Sequence, residues 1–128
     1  IVGNSTKFGG EVVVDDNAIV SAEVLCHQFC HIGGYVMVQG GSRTSQDVPP
    51  YVIAGKEPIR YAGINIVGLR RRGFSNELIE LIHEAYRLLY SKGVRAEGIL
   101  EIKKNLRITP EIQYIIDFVE SSGRGIIK

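Results

Sequence analysis

Long apolar runs, charge of one sign and a cysteine framework are all absent from this sequence. No run approaches the ~18 apolar residues of a membrane-spanning helix, and no basic segment followed by a short apolar stretch indicates a signal peptide. The formal net charge is +1, so the chain has no overall basic field for binding nucleic acid. It has two cysteines, and reduced thiols in a cytoplasmic protein are favoured over a disulfide framework.

What the sequence does contain is an unbroken six-residue repeat from Val2 to Arg43. The second position of the hexad is mostly Gly, Asp or Ser, and the fifth is small or β-branched. This pattern predicts a parallel β-helix in which each hexad forms one short strand and a corner, and the first-position side chains are buried. The first positions, all apolar, are Val2, Phe8, Val14, Val20, Cys26, Ile32 and Val38.

The repeat is already in register at Val2, with no polar segment before it. Seven hexads make little more than two three-sided coils, whereas a solenoid needs about three repeats and atypical caps at its ends. We therefore expect the chain to be the C-terminal part of a longer solenoid protein.

After Arg43 the pattern changes. The prolines of Ser45–Pro50 are expected to end the repeat, and short extended pieces are predicted at Tyr51–Ala54 and Ile64–Val67. Helical spacing then predicts three helices: one from an N-cap at Ser75 to Gly93, one over Ala96–Leu106, and one from Thr109–Pro110 to Gly123. The predicted domains are residues 1–72, which hold the coils and an extended linker, and residues 73–128, which form a small α-helical domain.

The segment CHQFCH, from Cys26 to His31, holds two thiols and two imidazoles. The hexad register places both thiols inside the coil and sends His27 and His31 in other directions. Zinc requires four convergent ligands, which one strand and its corner do not easily supply, so no metal site is predicted here. His27 lies near a corner, where it either faces a cleft or is a surface residue without a role.

Three consecutive arginines, Arg70 to Arg72, precede Gly73. A charge run is often only a solvated face, but guanidinium groups between an extended segment and a helix start are well placed to bind phosphate. We favour anion binding. Asn65 alone carries little information, and His83 within the first predicted helix is interpreted as structural.

Together these residues resemble a known family. The stretch from Ile1 to Gly41, with its HQFC segment, then QDVPPYVIAG and then GINIVGLRRRGFS, is similar to bacterial acyl-[acyl-carrier-protein]:UDP-N-acetylglucosamine O-acyltransferases, the first enzymes of lipid A synthesis, especially those of the Bacteroides group. The resemblance covers the whole chain. HQFC and GINI…GLRRRGFS are specific to this family, whereas hexads and DVPPY occur in many related acyltransferases.

The resemblance implies a left-handed parallel β-helix followed by a helical domain, assembled as a homotrimer with sites between subunits. Such enzymes move a 3-hydroxyacyl chain from the thioester of acyl-carrier protein to the sugar 3-hydroxyl of UDP-N-acetylglucosamine, with no metal, no cofactor and no covalent acyl-enzyme. A histidine is the general base, which suits an imidazole that titrates near working pH. In the family this histidine precedes the position of Ile1, so the present 128 residues are expected to be inactive alone.

Other roles follow from the same resemblance. His27 and Gln28 match a pair that lines the substrate cleft, and Asn65, Arg71 and Arg72 match nucleotide contacts, with the arginines on the phosphates. Gly40 matches the position that measures acyl-chain length, with Met37 nearby.

Two departures from the family pattern affect the predicted sugar and uridine contacts. Glu11 stands where many members have histidine, and Val67 stands where they have an acidic residue.

Two alternative functions remain: a hexapeptide acyltransferase that uses coenzyme A or acylates an amine, and a non-catalytic trimerisation module. The GINI…GLRRRG block favours the O-acyltransferase over the first of these.

Overall fold

The computed structural model describes residues 1–56 and 58–128. It divides into two compact units, the first formed by Ile1–Asn65 with Ser122–Lys128 and the second by Ile66–Ser121. The predicted domains, residues 1–72 and 73–128, have a different boundary and do not include the return of the last segment to the first unit. They stay a prediction.

The first unit is a stack of parallel coils. Each strand pairs with the strand three hexads later, so that Lys7 lies opposite Leu25, Val13 opposite His31 and Ile19 opposite Met37. Three hexads therefore complete one three-sided coil, and the predicted parallel hexapeptide coil is confirmed. The strands are β1 Lys7–Phe8, β2 Val13–Val14, β3 Ile19–Val20, β4 Leu25–Cys26, β5 His31–Ile32, β6 Met37–Val38 and β7 Arg43–Thr44.

The corners between these strands share one backbone conformation. A left-handed residue, with φ between 56° and 77°, recurs at every sixth position. Such a φ costs a non-glycine residue about 1–2 kcal/mol, but from Glu23 onward each of these corners bonds to the corner beneath it. The Phe29 N–H, for example, donates to the Gly10 carbonyl at 3.1 Å. The left-handed residues are Ser5, Glu11, Asn17, Glu23, Phe29, Tyr35 and Gly41.

The hexad position decides burial, although not in every coil. Val20, Cys26, Ile32 and Val38 at the first position are at most 1% exposed, as predicted. The prediction is wrong at the start of the chain, where Val2 is 49% and Phe8 39% exposed and Val14 is only half-buried. No described coil lies beneath them, so their side chains have nothing to pack against on that side.

The coil does not end at Ser45–Pro50, as the prolines had suggested. Val48 pairs with Ile32, and β8, Val52–Gly55, continues the sheet of β6 with Ile53 opposite Met37. This turn of the coil is two residues shorter than three hexads, and the prolines lie in its corner rather than in a strand. An antiparallel strand, β9 (Arg60–Ile64), then covers the edge of β8.

The second unit consists of four helices: α1 Ile66–Arg71, α2 Asn76–Ser91, α3 Arg95–Asn105 and α4 Pro110–Ser121. The three predicted helices are confirmed, with Ser75 accepting from the Leu78 N–H at 3.1 Å and Thr109 accepting from the Ile112 N–H at 3.2 Å. The predicted extended piece at Ile64–Val67 is wrong beyond Ile64, because α1 begins at Ile66. Within the described part of the chain, no helix has the length and apolarity needed to cross a bilayer.

Candidate functional site

His27 and Gln28 lie on the corner between β4 and β5, which we call the HQ corner (residues 27–30). Both side chains are exposed, and so is Phe29. The backbone of the corner lies close against Gly9 of the coil beneath, where an added Cβ would lie 2.5 Å from the Gln28 nitrogen. The His27 N–H donates to the Thr44 carbonyl at 3.0 Å in the coil above. The fold therefore presents two adjacent polar side chains to solvent from a rigid backbone.

The HQ corner leads directly into His31, whose role was not predicted. The Nε2 atom of His31 lies 2.8 Å from Oδ1 of Asp15, a residue of the preceding coil. The His31 N–H donates to Oδ1 of Asp47 at 2.8 Å. The sequence contains a signal for the contact with Asp15. One coil has 18 residues, so His31 lies above Val13, and Asp15, two residues after Val13, points to the same outward-facing side.

Asp47 is a second unpredicted residue and is only 5% exposed. Its other carboxylate oxygen accepts from the Ser122 hydroxyl at 2.5 Å, and its backbone pairs with Gly125 and Ile127. The carboxylate thus has a donor on each oxygen, which offsets the cost of burying a charge.

Gly40 and Met37 occupy a different edge of the coil. Gly40 is exposed on the corner that follows β6, and an added Cβ would lie 3.2 Å from the Ala22 carbonyl oxygen in the corner beneath. Met37 is half-buried on β6. The corner that holds Gly40 leads into β7, whereas the HQ corner follows β4, and both strands belong to the β1–β4–β7 sheet. The two predicted groups therefore lie at opposite ends of the strands of this sheet.

Asn65 is buried and bonded inside the first unit. Its side-chain amide donates to the Tyr35 carbonyl at 3.0 Å, and its N–H donates to the Tyr51 carbonyl at 2.9 Å. Tyr35 and Tyr51 both have positive φ, and their rings stack at 5.7 Å. The structure therefore gives Asn65 a role in holding two corners, and its predicted nucleotide contact stays a prediction.

The three arginines lie in the second unit, at the end of α1. Arg70, Arg71 and Arg72 are exposed, and Gly73 ends the helix with φ 87°. The Phe74 N–H donates to the Leu69 carbonyl and the Gly73 N–H to the Arg70 carbonyl, which is a Schellman motif. Positive charge at a helix C-terminus is favoured by the helix dipole, so the arginines have a local structural reason besides the predicted phosphate contact.

The thiols of CHQFCH are buried, as predicted. Cys26 is 1% exposed and Cys30 is completely buried, and both are free. Burial, with a smaller effect from Cys30, raises the pKa of Cys26 to about 11, and burial is also the main cause of the raised pKa of Cys30. Such thiols are poor ligands and nucleophiles. Over residues 1–56 and 58–128, no three His, Cys, Asp or Glu side chains are grouped so as to hold a metal ion.

The two residues that depart from the family pattern are both exposed. Glu11 is a left-handed corner residue beneath the HQ corner, with φ 56°. Val67 in α1 is 62% exposed. Their effect on substrate contacts stays a prediction.

Comparison with known proteins gives one consistent result. The family profile described as "UDP N-acetylglucosamine O-acyltransferase; Domain 2" matches residues 47–127. An acyl-[acyl-carrier-protein]–UDP-N-acetylglucosamine O-acyltransferase from Aliivibrio fischeri is 43% identical over the whole of this chain, which covers 49% of that relative. The chain spans about half the length of the curated relatives it matches.

Solved structures agree with the sequence matches. A UDP-N-acetylglucosamine acyltransferase from Bacteroides fragilis has a TM-score of 0.97 at 60% identity, over 100% of this chain and 51% of its own. The corresponding protein from Francisella novicida has a TM-score of 0.88 at 34% identity, over 98% of this chain and 47% of its own. The coils, the four helices and these matches together show that the chain belongs to the UDP-N-acetylglucosamine O-acyltransferase family.

Proposed function

We propose that this chain is part of an enzyme that transfers a 3-hydroxyacyl chain from acyl-carrier protein to the 3-hydroxyl of UDP-N-acetylglucosamine, the first step of lipid A synthesis. The observation that carries the proposal is the match of the whole chain, helical unit included, to relatives named for this reaction. In the reaction the sugar oxygen forms an ester bond to the acyl carbonyl carbon, and the thioester C–S bond breaks. A base takes the hydroxyl proton, and a proton is returned to the sulfur, so that the carrier protein leaves as a free thiol.

The roles proposed for single residues rest on exposure and on resemblance. His27 and Gln28 are exposed on a rigid corner, which suits residues that orient a substrate. Gly40 lies on an exposed corner, where an added Cβ would meet only Ser21 and Ala22 of the corner beneath, and this open position supports a role in measuring the acyl chain. Arg71 and Arg72 are exposed and available to the nucleotide phosphates. The general base is proposed to be a histidine that precedes Ile1 in the parent enzyme.

The assembly is proposed to be a homotrimer of left-handed coils in the cytoplasm, acting without metal or cofactor. The outward-facing side of the β3–β6–β8 sheet supports self-association, because Ile19, Met37 and Ile53 are aligned there and Ile19 is 36% exposed. Apolar side chains on a flat outer face favour contact with another protein surface. His27, Gln28 and Gly40 are exposed on the corners of the coil, which suits a site shared between subunits.

The test is an acyl-transfer assay on the longest natural protein that contains this chain. Labelled UDP-N-acetylglucosamine and 3-hydroxyacyl-carrier protein are supplied, and we expect an ester at the sugar 3-hydroxyl. The same assay with acyl-coenzyme A, or with an amino-sugar acceptor, is expected to give much less product. Transfer only from coenzyme A, or only to an amine, would overturn the proposal. The 128-residue chain alone is expected to give no turnover.

A further inference from the structure

One end of the HQ corner is anchored differently from the equivalent corner in the coil beneath. Val13, which lies opposite His31, has its N–H bonded to the Cys30 carbonyl at 3.0 Å in the regular ladder. Its apolar side chain makes no polar contact. His31 instead has its N–H on the Asp47 carboxylate and its ring on Asp15, both at 2.8 Å.

The shortened coil explains the contact with Asp47. In the regular ladder an N–H at this position pairs with a carbonyl in the next coil, as Leu25 does with Ser42 at 2.9 Å. Above His31 the coil lacks two residues, and the Asp47 carboxylate takes the place of that carbonyl. A hydrogen bond to a charged acceptor is about twice as strong as a neutral one, and this acceptor is buried and fixed by Ser122.

The contact with Asp15 fixes the His31 ring from the opposite direction. Asp15 belongs to the coil below, and its own N–H donates to the Ile32 carbonyl at 2.9 Å, so its backbone is held in place. The His31 side chain is 34% and that of Asp15 25% exposed, so solvent screens the pair only in part. His31 is therefore held by one carboxylate from the coil below and by another from the coil above.

We propose that His31 is a positioning residue for substrate binding. Its ring bond to Asp15, together with the Asp47 anchor, fixes the end of the HQ corner and thereby sets where His27 and Gln28 meet the substrate. The proposal rests on the proposed function of that corner. The Phe29 N–H and the Cys30 N–H also bond within and beneath the corner, so a displacement of His31 is transmitted to a short, tightly bonded segment.

The test compares His31→Val with His31→Gln in the longest natural protein that contains this chain. Valine reproduces Val13 of the coil below, whereas glutamine keeps a side-chain N–H for Asp15. We expect His31→Val to raise KM for UDP-N-acetylglucosamine or for the acyl donor about tenfold with kcat within about twofold, because a misplaced contact weakens binding. His31→Gln should restore most of the affinity. Loss of folded protein alone would lower the apparent kcat and leave KM unchanged.

The matched control is His83→Gln, since His83 is exposed on α2 in the other compact unit. Its KM and kcat should equal those of the natural protein. Asp15→Ala, which removes the acceptor of the His31 ring, is the second variant, used if His31→Val fails to fold, and it should raise KM in the same way. An unchanged KM in His31→Val, or a raised KM that glutamine does not restore, would overturn the positioning role.

A second readout separates this proposal from the proposed reaction. The ring resonances of His27 are measured by NMR in the natural protein and in His31→Val, and we expect them to shift. If the natural protein transfers no acyl group, the proposed function is wrong, and the His27 resonances alone then test whether His31 positions the HQ corner. Unshifted His27 resonances would then overturn the positioning role.

Discussion

Cys26 and Cys30 show how far a single residue's environment follows from its place in the hexad. They occupy the first and fifth positions, and both point into the coil. Val20 and Val24 hold the same positions one hexad earlier and are equally buried. The thiols therefore act as small apolar side chains, and their raised pKa values are a consequence of that burial.

The buried thiol of Cys26 predicts a loss of stability at alkaline pH. Its pKa is about 11 in the folded chain and near 9.0 when unperturbed, so between these values the unfolded chain loses a proton that the native state retains. Stability is therefore complete below about pH 9 and falls as pH rises toward about 11. Cys26→Val should remove up to about 2–3 kcal/mol of that fall, at about 1.4 kcal/mol per pKa unit.

Urea unfolding of both proteins at about pH 8 and about pH 10.5 measures this effect. All other ionisable groups are common to both proteins and cancel in the comparison. An equal decline in the natural protein and in Cys26→Val would contradict the prediction.

Gly40 gives a prediction about acyl-chain length. Its φ is not in the left-handed region and an added Cβ meets only Ala22 and Ser21, so the corner can accept a side chain with a small adjustment. Gly40→Met should shift the preferred donor to a shorter acyl chain by occupying space outside the corner. Competition between donors of different length in the transfer assay measures the shift. Gly123→Met is the control, since Gly123 is also exposed with open space around it.

At the level of elements, capping residues made two helices predictable, whereas the short length and strand-like residues of a third hid it. Ser75 and Thr109 both accept the expected N–H bonds at the starts of α2 and α4. Helix α1 has only six residues and includes Gly68, and its β-branched start at Ile66 and Val67 favours an extended strand. Its stability comes from the Gly73 end and from Leu69, which is fully buried.

The site was predictable only where its geometry depends on residues that are close together in the sequence. The hexad register gave the inward thiols and the outward HQ corner, because alternation along a strand is local. The contact between Asp47 and His31 arises because one coil is two residues shorter than the others, and no residue near His31 in the sequence indicates this shortening. The buried amide of Asn65 depends likewise on corners far away in the chain.

Gly98 lowered the expectation of a helix at α3, and the structure shows why glycine is there. An added Cβ would lie 2.3 Å from the Leu89 carbonyl oxygen and 2.8 Å from the Leu89 Cα, both on α2. Alanine would gain up to about 1 kcal/mol in helix propensity, but forcing two backbones apart costs about 1–3 kcal/mol. We therefore expect Gly98→Ala to destabilise the protein by about 1–2 kcal/mol.

Thermal or urea unfolding of Gly98→Ala measures the balance. Lys104→Ala on the same helix is the control, because Lys104 is exposed and its replacement should change the free energy of unfolding by less than about 0.5 kcal/mol. A stabilised Gly98→Ala would mean that α3 moves away from α2 without cost.

Across the whole molecule, the chain leaves the first unit after Asn65 and returns to it at Ser122. Both points are bonded to the coil: the Asn65 amide reaches the Tyr35 carbonyl, and the Ser122 hydroxyl reaches the Asp47 carboxylate. Asp47 also pairs through its backbone with Gly125 and Ile127. One buried residue thus joins the coil to the last segment of the chain, through its side chain at Ser122 and through its backbone at Gly125 and Ile127.

Asp47→Ala should accordingly weaken the coil and the terminal segment together. It leaves the His31 N–H and the Ser122 hydroxyl without their acceptor, and we expect a loss of about 2–4 kcal/mol in the free energy of unfolding. Hydrogen exchange at the Ile127 amide, which donates to the Asp47 carbonyl at 3.0 Å, should accelerate more than exchange at Val20. Asp16→Ala is the control, since Asp16 is exposed on a neighbouring corner and its backbone carbonyl, which the substitution keeps, accepts from the Tyr35 N–H. Equal stability of the two variants would show that the Asp47 carboxylate does not join the two segments.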